Sequence, residues 1–473
     1  MTINATARHV ELPHVVILGA GFGGLTASRE LCGKGVEVTI IDRQNHHVFQ
    51  PLLYQVATAG LSPADIAAPI RSIVKRHKHT HVRLGEVVSI DVDARHVELA
   101  EGDHIPYDYL VVATGARHGY FGREEWGEHA PGLKTIDDAT RLRRSILLAL
   151  EHAETLPPGA ARDRQLTFVL VGGGPTGVEM AGAIAELTRH SVSMEFRTIM
   201  SRLSRVVLVE AGPRLLASFP EQLSDCARRS LEKLGVEVRL NGRVTEVDAG
   251  GVDLENERID AATVIWSAGV MASPAAQWLG VDGDRAGRVA VEPDLSLRGK
   301  PEIFLIGDVA SIARADGRPV PGIAPAAKQM GAHVARVIAA RVAGRSSPRP
   351  FLYRDYGNLA TIGRKRAVAD FGWSQMRGTL AWLFWCVAHI FFLVGFRNRL
   401  IVGANWLWHY FTFDRGARLI TGLDRGAVFG GGRSGVAQAG SNLRKILPDA
   451  PRPAAQPQML ERSAECGDRP KPA

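Results

Sequence analysis

The sequence predicts an α/β fold, with two Rossmann-like dinucleotide-binding modules in one chain followed by a C-terminal region of different character. Three observations lead there. A strand, glycine turn, helix, strand pattern occurs twice: first as "VVILGAGFGG", "VEVTIIDR" and "YDYLVVATGA", then as "FVLVGGGPTG", "RVVLVEAG" and "ATVIWSAGV". Short apolar strands alternate with helical stretches, as in parallel sheets. Beyond both copies, Thr379 to Leu400 reads "TLAWLFWCVAHIFFLVGFRNRL", a nearly unbroken apolar and aromatic run.

Composition allows this much fold. The chain has 473 residues, 45% of them hydrophobic, enough for more than one core. Its formal charge is +8. No basic run carries interleaved aromatics, which argues against nucleic acid. Cys32, Cys226, Cys386 and Cys466 lie far apart, without a CxxC pair or a Cys/His cluster at ligand spacing. Neither a redox disulfide nor a metal site is expected. A short polar lead precedes "HVVILG", with no separate hydrophobic segment and cleavage site, so a cytoplasmic protein is expected.

In the first copy the turn is Gly19-x-Gly21-x-x-Gly24, directly after a strand and opening a helix. The first glycine permits the tight turn, the second lets backbone approach a pyrophosphate, and the third allows close helix packing. Free N–H groups at the helix start face the anion. Asp42 ends the next strand, eighteen residues past Gly24, where a carboxylate can accept both ribose hydroxyls. The second copy repeats this as Gly172-x-Gly174-x-x-Gly177, with Glu210 as its acid. That acid stands thirty-three residues past Gly177, a spacing lengthened by the inserted stretch "RHSVSMEFRTIMSR". A carboxylate there repels a 2'-phosphate and favours NADH over NADPH; nearby Arg214 pulls the other way.

"IFLIGDVA" then ends a third strand on Gly307 and Asp308, where a carboxylate can meet the ribityl chain of a flavin or simply start a turn. A helix begins at "APAAKQMG", with Pro325 suited to its first turn. "GRSSPRP" reads as a linker and "FLYRDYGNLATIGRKRAVADF" as β-structure. The expected boundaries are 10–120 and 285–346 for the first module, 121–284 for the second, 347–425 for a membrane-docking region and 426–473 for a disordered tail.

As one helix, Ala381 to Phe396 is hydrophobic all round except for His389. It barely reaches across a hydrocarbon layer of about 30 Å. Trp382, Trp385, Trp406, Trp408, Tyr410, Arg397 and Arg399 suit the headgroup boundary. Monotopic insertion is the favoured reading, with a spanning helix and a core or dimer-interface helix as the alternatives. A chain cut after about Ser346 is then expected to be soluble and still able to oxidise NADH with small acceptors.

Taken together, "GAGFGGL", "NHHVFQPLLYQVATAGLSP", "YDYLVVATGA", "VGGGPTGVEMAGAIAEL", "FLIGDVA", "APAAKQMG" and "YGNLATIGRKRAVADF" resemble the type II NADH:quinone oxidoreductases, flavoproteins related to disulfide reductases. The resemblance runs from about His14 to Gly422. It implies FAD on the first module, touched by Gly21, Gly23, Gly24, Asp42, Arg43, Thr114, Gly115 and Asp308. It implies NADH on the second, touched by Gly174, Thr176, Gly177, Glu179, Glu210 and Gly269. Hydride then passes from NADH to FAD, and electrons pass to a membrane quinone, ubiquinone or menaquinone, without proton pumping. The place of work implied is the cytoplasmic face of the inner membrane, against the lipid bilayer; a homodimer is compatible with it. Glu179, Lys328 and Gln329 are the candidate catalytic residues: Glu179 beside the nicotinamide, or else an acid complementing its helix dipole, and the other two near the quinone carbonyls, with an ordinary polar helix residue as the alternative for Gln329. Part of the family has glutamine where this chain has Pro325. A sulfide:quinone oxidoreductase, a soluble NAD(P)H-dependent flavin reductase and a flavin redox sensor are the alternatives.

Overall fold

The computed structural model describes residues 12–191, 195–199, 203–346, 348–412 and 415–422; the tail expected to be disordered, 426–473, lies outside them. Strand β1 (His14–Leu18) is buried from Val15 to Leu18, which is why it reads as an unbroken apolar run rather than an alternating one. Helix α1 (Phe22–Leu31) follows, then β2 (Glu37–Asp42), α2 (Leu53–Ala57), β3 (Thr80–Leu84) and β4 (Tyr109–Val112). The chain crosses to the second module beside Ala116–His118, which pairs antiparallel with Val270–Ala272 on the return.

The second module consists of α3 (Ile136–Thr155), β5 (Thr167–Val171), α4 (Pro175–Glu186), β6 (Arg205–Glu210), α5 (Glu221–Lys233), β7 (Val236–Leu240) and β8 (Thr263–Trp266). A capping box between Thr135 and Asp138 fixes the start of α3. The first sheet resumes with β9 (Ser296–Leu297) and β10 (Lys300–Leu305), and α6 (Ala324–Val342) follows. Its strand order is β9-β10-β4-β1-β2-β3; the second sheet is β7-β6-β5-β8. In each, the strand before the glycine turn is central, flanked in parallel by the strand ending in the acid and by the strand of "VVATG" or "VIWSAG". The duplication extends further than the motifs, because each copy also inserts a three-stranded antiparallel sheet, Val87–Pro106 in one and Val244–Asp260 in the other.

Helix α6 crosses α1 so closely that a Cβ on Gly331 would lie 2.3 Å from the Gly23 carbonyl oxygen. This brings the start of α6 over the first glycine turn.

The C-terminal region is β11 (Asn358–Gly363), β12 (Arg366–Asp370) and β13 (Gln375–Gly378), an antiparallel sheet, then α7 (Thr379–Phe392) and α8 (Phe396–Thr412). It is not the separable appendage the sequence suggests. A Cβ on Gly182 of α4 would lie 1.8 Å from the Ile362 carbonyl oxygen, so β11 lies directly on that helix. Ile362, Val368, Trp385 and Val402 belong to the same buried cluster as Phe168, Met180 and Leu208 of the second module. The single helix expected from Ala381 to Phe396 is also corrected. Helix α7 stops at Phe392, Leu393 is extended, and Gly395, at φ +91°, turns the chain into α8. Trp385 and Trp406 leave the expected headgroup belt and turn inward: Trp385 is 2% exposed, and the Trp406 indole donates to Gln55 Oε1 at 2.7 Å. No described helix is long and apolar enough to cross a membrane; the fourteen residues of α7 reach about 21 Å against about 30 Å of hydrocarbon.

Candidate active site

Both glycine turns have the same construction. At the first, the Asp42 carboxylate accepts the Ala20 N–H at 2.6 Å and the Gln44 N–H at 2.8 Å. Burial pushes this carboxyl above its usual range, and the two N–H donors oppose that. At the second, Glu210 accepts the Gly173 and Gly212 N–H groups, both at 2.6 Å. The acid of each module thus holds the residue after the first glycine. A Cβ on Gly24 would lie 1.9 Å from the Gly19 oxygen, and one on Gly177 1.9 Å from the Gly172 oxygen. Around Gly21 and Gly174, by contrast, a Cβ would meet nothing within 4 Å, which leaves room for a pyrophosphate against the backbone.

The other predicted residues fall around these turns. Thr114 Oγ1 lies 2.5 Å from Ser273 Oγ, and Gly115 (φ +66°) accepts the Ser273 N–H, joining the end of β4 to the second module. Gly269 (φ +79°) meets Gly119 at the crossing between modules. Arg43 and Thr176 are exposed at the rims. Gly307 (φ +73°) and Asp308 form a short turn after β10, the neighbour of β4. Burial raises the Asp308 carboxyl, and the Lys134 ammonium opposes it. Arg214 does not compete at Glu210, because its guanidinium donates to the Phe219 and Ala217 carbonyls.

Glu179 sits on α4 facing the C-terminal region. It lies deep in the protein with part of its surface accessible, and burial pushes its carboxyl up to about 8. The Thr361 N–H of β11 donates to Oε1 at 3.4 Å, and the buried Trp385 indole N–H of α7 faces the same carboxyl without reaching a regular hydrogen bond. Trp385 is held by stacking on His389, centroids 4.0 Å apart. Tyr54 of α2 lies nearby; burial, reinforced by the Glu179 charge, raises its phenol well above the usual range.

At the start of α6, Lys328 Nζ lies 5.3 Å from the Phe22 ring and 4.7 Å from the Phe392 ring, so it stands between the first glycine turn and α7. Burial, helped by Arg29 and Arg399, lowers its pKa. The Gln329 amide is engaged at both ends with the Arg354 backbone, at 2.9 Å each. It ties α6 to the segment leading into the C-terminal sheet.

Sequence reasoning missed His47, Tyr54, Lys134 and Trp385. His47 Nδ1 donates to the Ala20 carbonyl at 2.9 Å, and burial, which lowers its pKa to about 4, keeps it neutral. His47 lay inside the quoted "NHHVFQ", yet nothing in the letters shows which histidine turns inward.

Comparison with known proteins agrees with this geometry. Residues 13–331 match the pyridine nucleotide-disulphide oxidoreductase family and residues 356–415 the NDH2 C-terminal domain. The chain is 45% identical to the type II NADH:quinone oxidoreductase NdhA of Mycobacterium tuberculosis, over 86% of this chain and 89% of that one. It is 42% identical to Ndh of the same organism, over 88% and 92%. The structure of NDH2 from Plasmodium falciparum in complex with NADH superposes with a TM-score of 0.78, at 21% identity, covering 87% of this chain and all of that one. The sulfide:quinone oxidoreductase of Aquifex aeolicus shares the fold at a TM-score of 0.63 and 19% identity, over 85% and 95%. With its two matched acid-and-glycine turns, and a C-terminal domain closing on Glu179, this chain belongs to the type II NADH:quinone oxidoreductases.

Proposed function

We propose that the chain is a membrane-associated flavoenzyme that passes hydride from NADH to FAD and two electrons onward to a membrane quinone, without pumping protons, from the cytoplasmic side. The observation that carries this reading is the meeting of Trp385, on the apolar α7, with Glu179, on the helix that opens the second glycine turn. On this reading the nucleotide lies on the α4 side of that meeting and the apolar face on the α7 side.

The residues of the first module fit FAD, whose open cradle at Gly21 and inward Asp42 and Asp308 leave places for pyrophosphate, ribose and ribityl. Bound there, FAD supplies the two-electron chemistry between nicotinamide and quinone. The protein holds both partners at the required distance and excludes water. Glu210 selects NADH, since its carboxylate repels a 2'-phosphate and Arg214 is turned away. The positive end of α6 and the Lys328 ammonium face the first turn, where they favour negative charge. Lys328 also borders Phe392, on the side from which a quinone enters. Gln329 shapes that entrance by its clasp on Arg354, and it hydrogen-bonds a quinone carbonyl only by releasing one end. A sulfide route is disfavoured, because the cysteines among the described residues are free and on separate elements: Cys32 just past the end of α1, Cys226 on α5 and Cys386 on α7. Burial also raises the Cys386 thiol to about 12, far from a nucleophile.

The assay that tests this reading is steady-state NADH consumption that depends on added quinone and falls away with NADPH. Reduction that stops after one turnover would instead make the protein a sensor.

Glu179 allows a sharper test. Its folded pKa, about 8, exceeds the ordinary 4.5, so the folded protein binds this proton more tightly than the unfolded chain. Stability from this group is therefore full below about pH 4.5 and declines as pH rises toward about 8. Glu179→Gln is expected to flatten that decline, with little change in Tm below about pH 4.5, where the carboxyl is protonated in folded and unfolded chain alike, and to lower turnover on the order of a hundredfold. Parallel losses of turnover and stability would reduce Glu179 to a structural residue.

A further inference from the structure

One side of α7 carries Trp385, His389 and Phe392, spaced four and three residues apart along the helix. Trp385 faces the Glu179 carboxyl, and the Phe392 ring lies 4.7 Å from Lys328 Nζ. His389 therefore stands, along the helix, between the contacts made to two of the candidate catalytic residues. Its ring stacks on Trp385 with centroids 4.0 Å apart, and Phe49, ahead of α2, meets it edge-on at 6.1 Å. These contacts fix the plane of the imidazole. A hydrogen bond fixes its tautomer: Nδ1 lies 2.7 Å from the Trp385 carbonyl oxygen, which can only accept, so Nδ1 carries the proton and Nε2 presents a bare lone pair. Burial lowers the ring's pKa to about 4, which keeps it neutral. Among the described residues Nε2 has no hydrogen-bond partner, and unlike the Trp385 indole nitrogen it is not sealed off by protein atoms. An acceptor thus stands open among the rings of Phe49, Trp385 and Phe392.

We infer that His389 Nε2 accepts a hydrogen bond from a hydroxyl of the reduced quinone, so that this wall of the site recognises quinol in preference to quinone. The inference rests on the quinone reading above and adds which form of the substrate the wall selects. A quinone presents two carbonyl oxygens, both acceptors, and has no proton to give Nε2. The Lys328 ammonium, a donor only, suits that form. Two-electron reduction turns both carbonyls into hydroxyls, and each hydroxyl can then donate. A lone pair left unmatched by quinone and matched by quinol favours the product form, because a desolvated acceptor without a partner is costly.

The test is equilibrium binding of a short-chain ubiquinone and, kept anaerobic, of its quinol to the FAD-loaded full chain in the oxidised state, followed by quenching of tryptophan fluorescence. His389→Phe keeps a ring to stack on Trp385 but offers no lone pair. Its quinol affinity is expected to fall about tenfold while its quinone affinity stays within about twofold. His389→Leu, smaller and equally without a lone pair, should show the same split. His389→Gln, whose amide oxygen reaches about as far as Nε2, should recover most of the quinol affinity, which a role in packing alone would not produce. In steady-state assays, inhibition by added quinol should weaken in His389→Phe by the same factor. An equal loss for both forms, or no loss for either, would overturn the inference and leave quinone reduction intact. Unaltered protein that neither binds nor reduces the quinone would overturn both.

Discussion

Gly177→Ala is expected to weaken NADH binding on the order of a hundredfold or more while FAD stays bound at full occupancy. Helix propensity works the other way, because alanine in place of glycine favours a helix by about 1 kcal/mol. The steric term decides: the new Cβ would lie 1.9 Å from the Gly172 oxygen and 2.8 Å from Ser267 Oγ. The first of these is backbone, so the turn itself must open. Opening it moves the Gly173 N–H from Glu210, which accepts it at 2.6 Å, and swings the helix-start N–H groups off the pyrophosphate. A hundredfold loss corresponds to about 2.7 kcal/mol, within what a displaced phosphate cradle costs. Equilibrium titration with NAD+, which binds without reducing the flavin, gives the nucleotide affinity, and the flavin absorbance of the purified variant gives FAD occupancy. The first module provides the control, since Gly24→Ala creates the same 1.9 Å overlap with Gly19 and should lose FAD instead. Unchanged NADH affinity in Gly177→Ala would remove the second turn from the nucleotide site.

A chain ending at Ser346 is expected not to fold to a stable soluble protein, against what the sequence suggests. Removing residues 347 onward strips β11 from α4, where the Ile362 carbonyl occupies the place of a Gly182 side chain. It also uncovers core shared with Met180 and Phe168. The loss of Trp385 alone, 2% exposed, is worth about 3–5 kcal/mol, a large part of the 5–15 kcal/mol by which domains are stable. Trp385→Ala in the full chain should therefore lower the thermal midpoint sharply, and the truncated chain should show no cooperative transition. A truncated protein that melts cooperatively and still oxidises NADH with a small acceptor would restore the picture of a removable membrane region.

These two cases mark what the letters disclose. The glycine turns and their acids were legible because each role is local: Gly24 packs on Gly19, and Asp42 reaches the Ala20 N–H within one strand, turn, helix and strand. Pro325 and the start of α6 were legible for the same reason. The seat of the C-terminal sheet was not, since the contact that fixes it joins Gly182 to Ile362, with the rest of the second module and the return to the first between them. Nor were Tyr54 and Trp385, which come from α2 and α7 to meet at Glu179. The apolar run misled in one respect. Hydropathy gives no sign that Gly395 breaks it, or that Trp385 and Trp406 face protein while Phe391 and Trp408 face outward. Gln329 was placed correctly on α6, but its amide partner Arg354 lies beyond the helix and across the linker.

The most direct test of an electron route from NADH through bound FAD to quinone is an anaerobic absorption titration of the purified full chain. The account predicts a yellow protein that bleaches with one equivalent of NADH and regains its colour on addition of a short-chain quinone. A protein that stays colourless after incubation with FAD, or one that bleaches and does not recover with quinone, would contradict it.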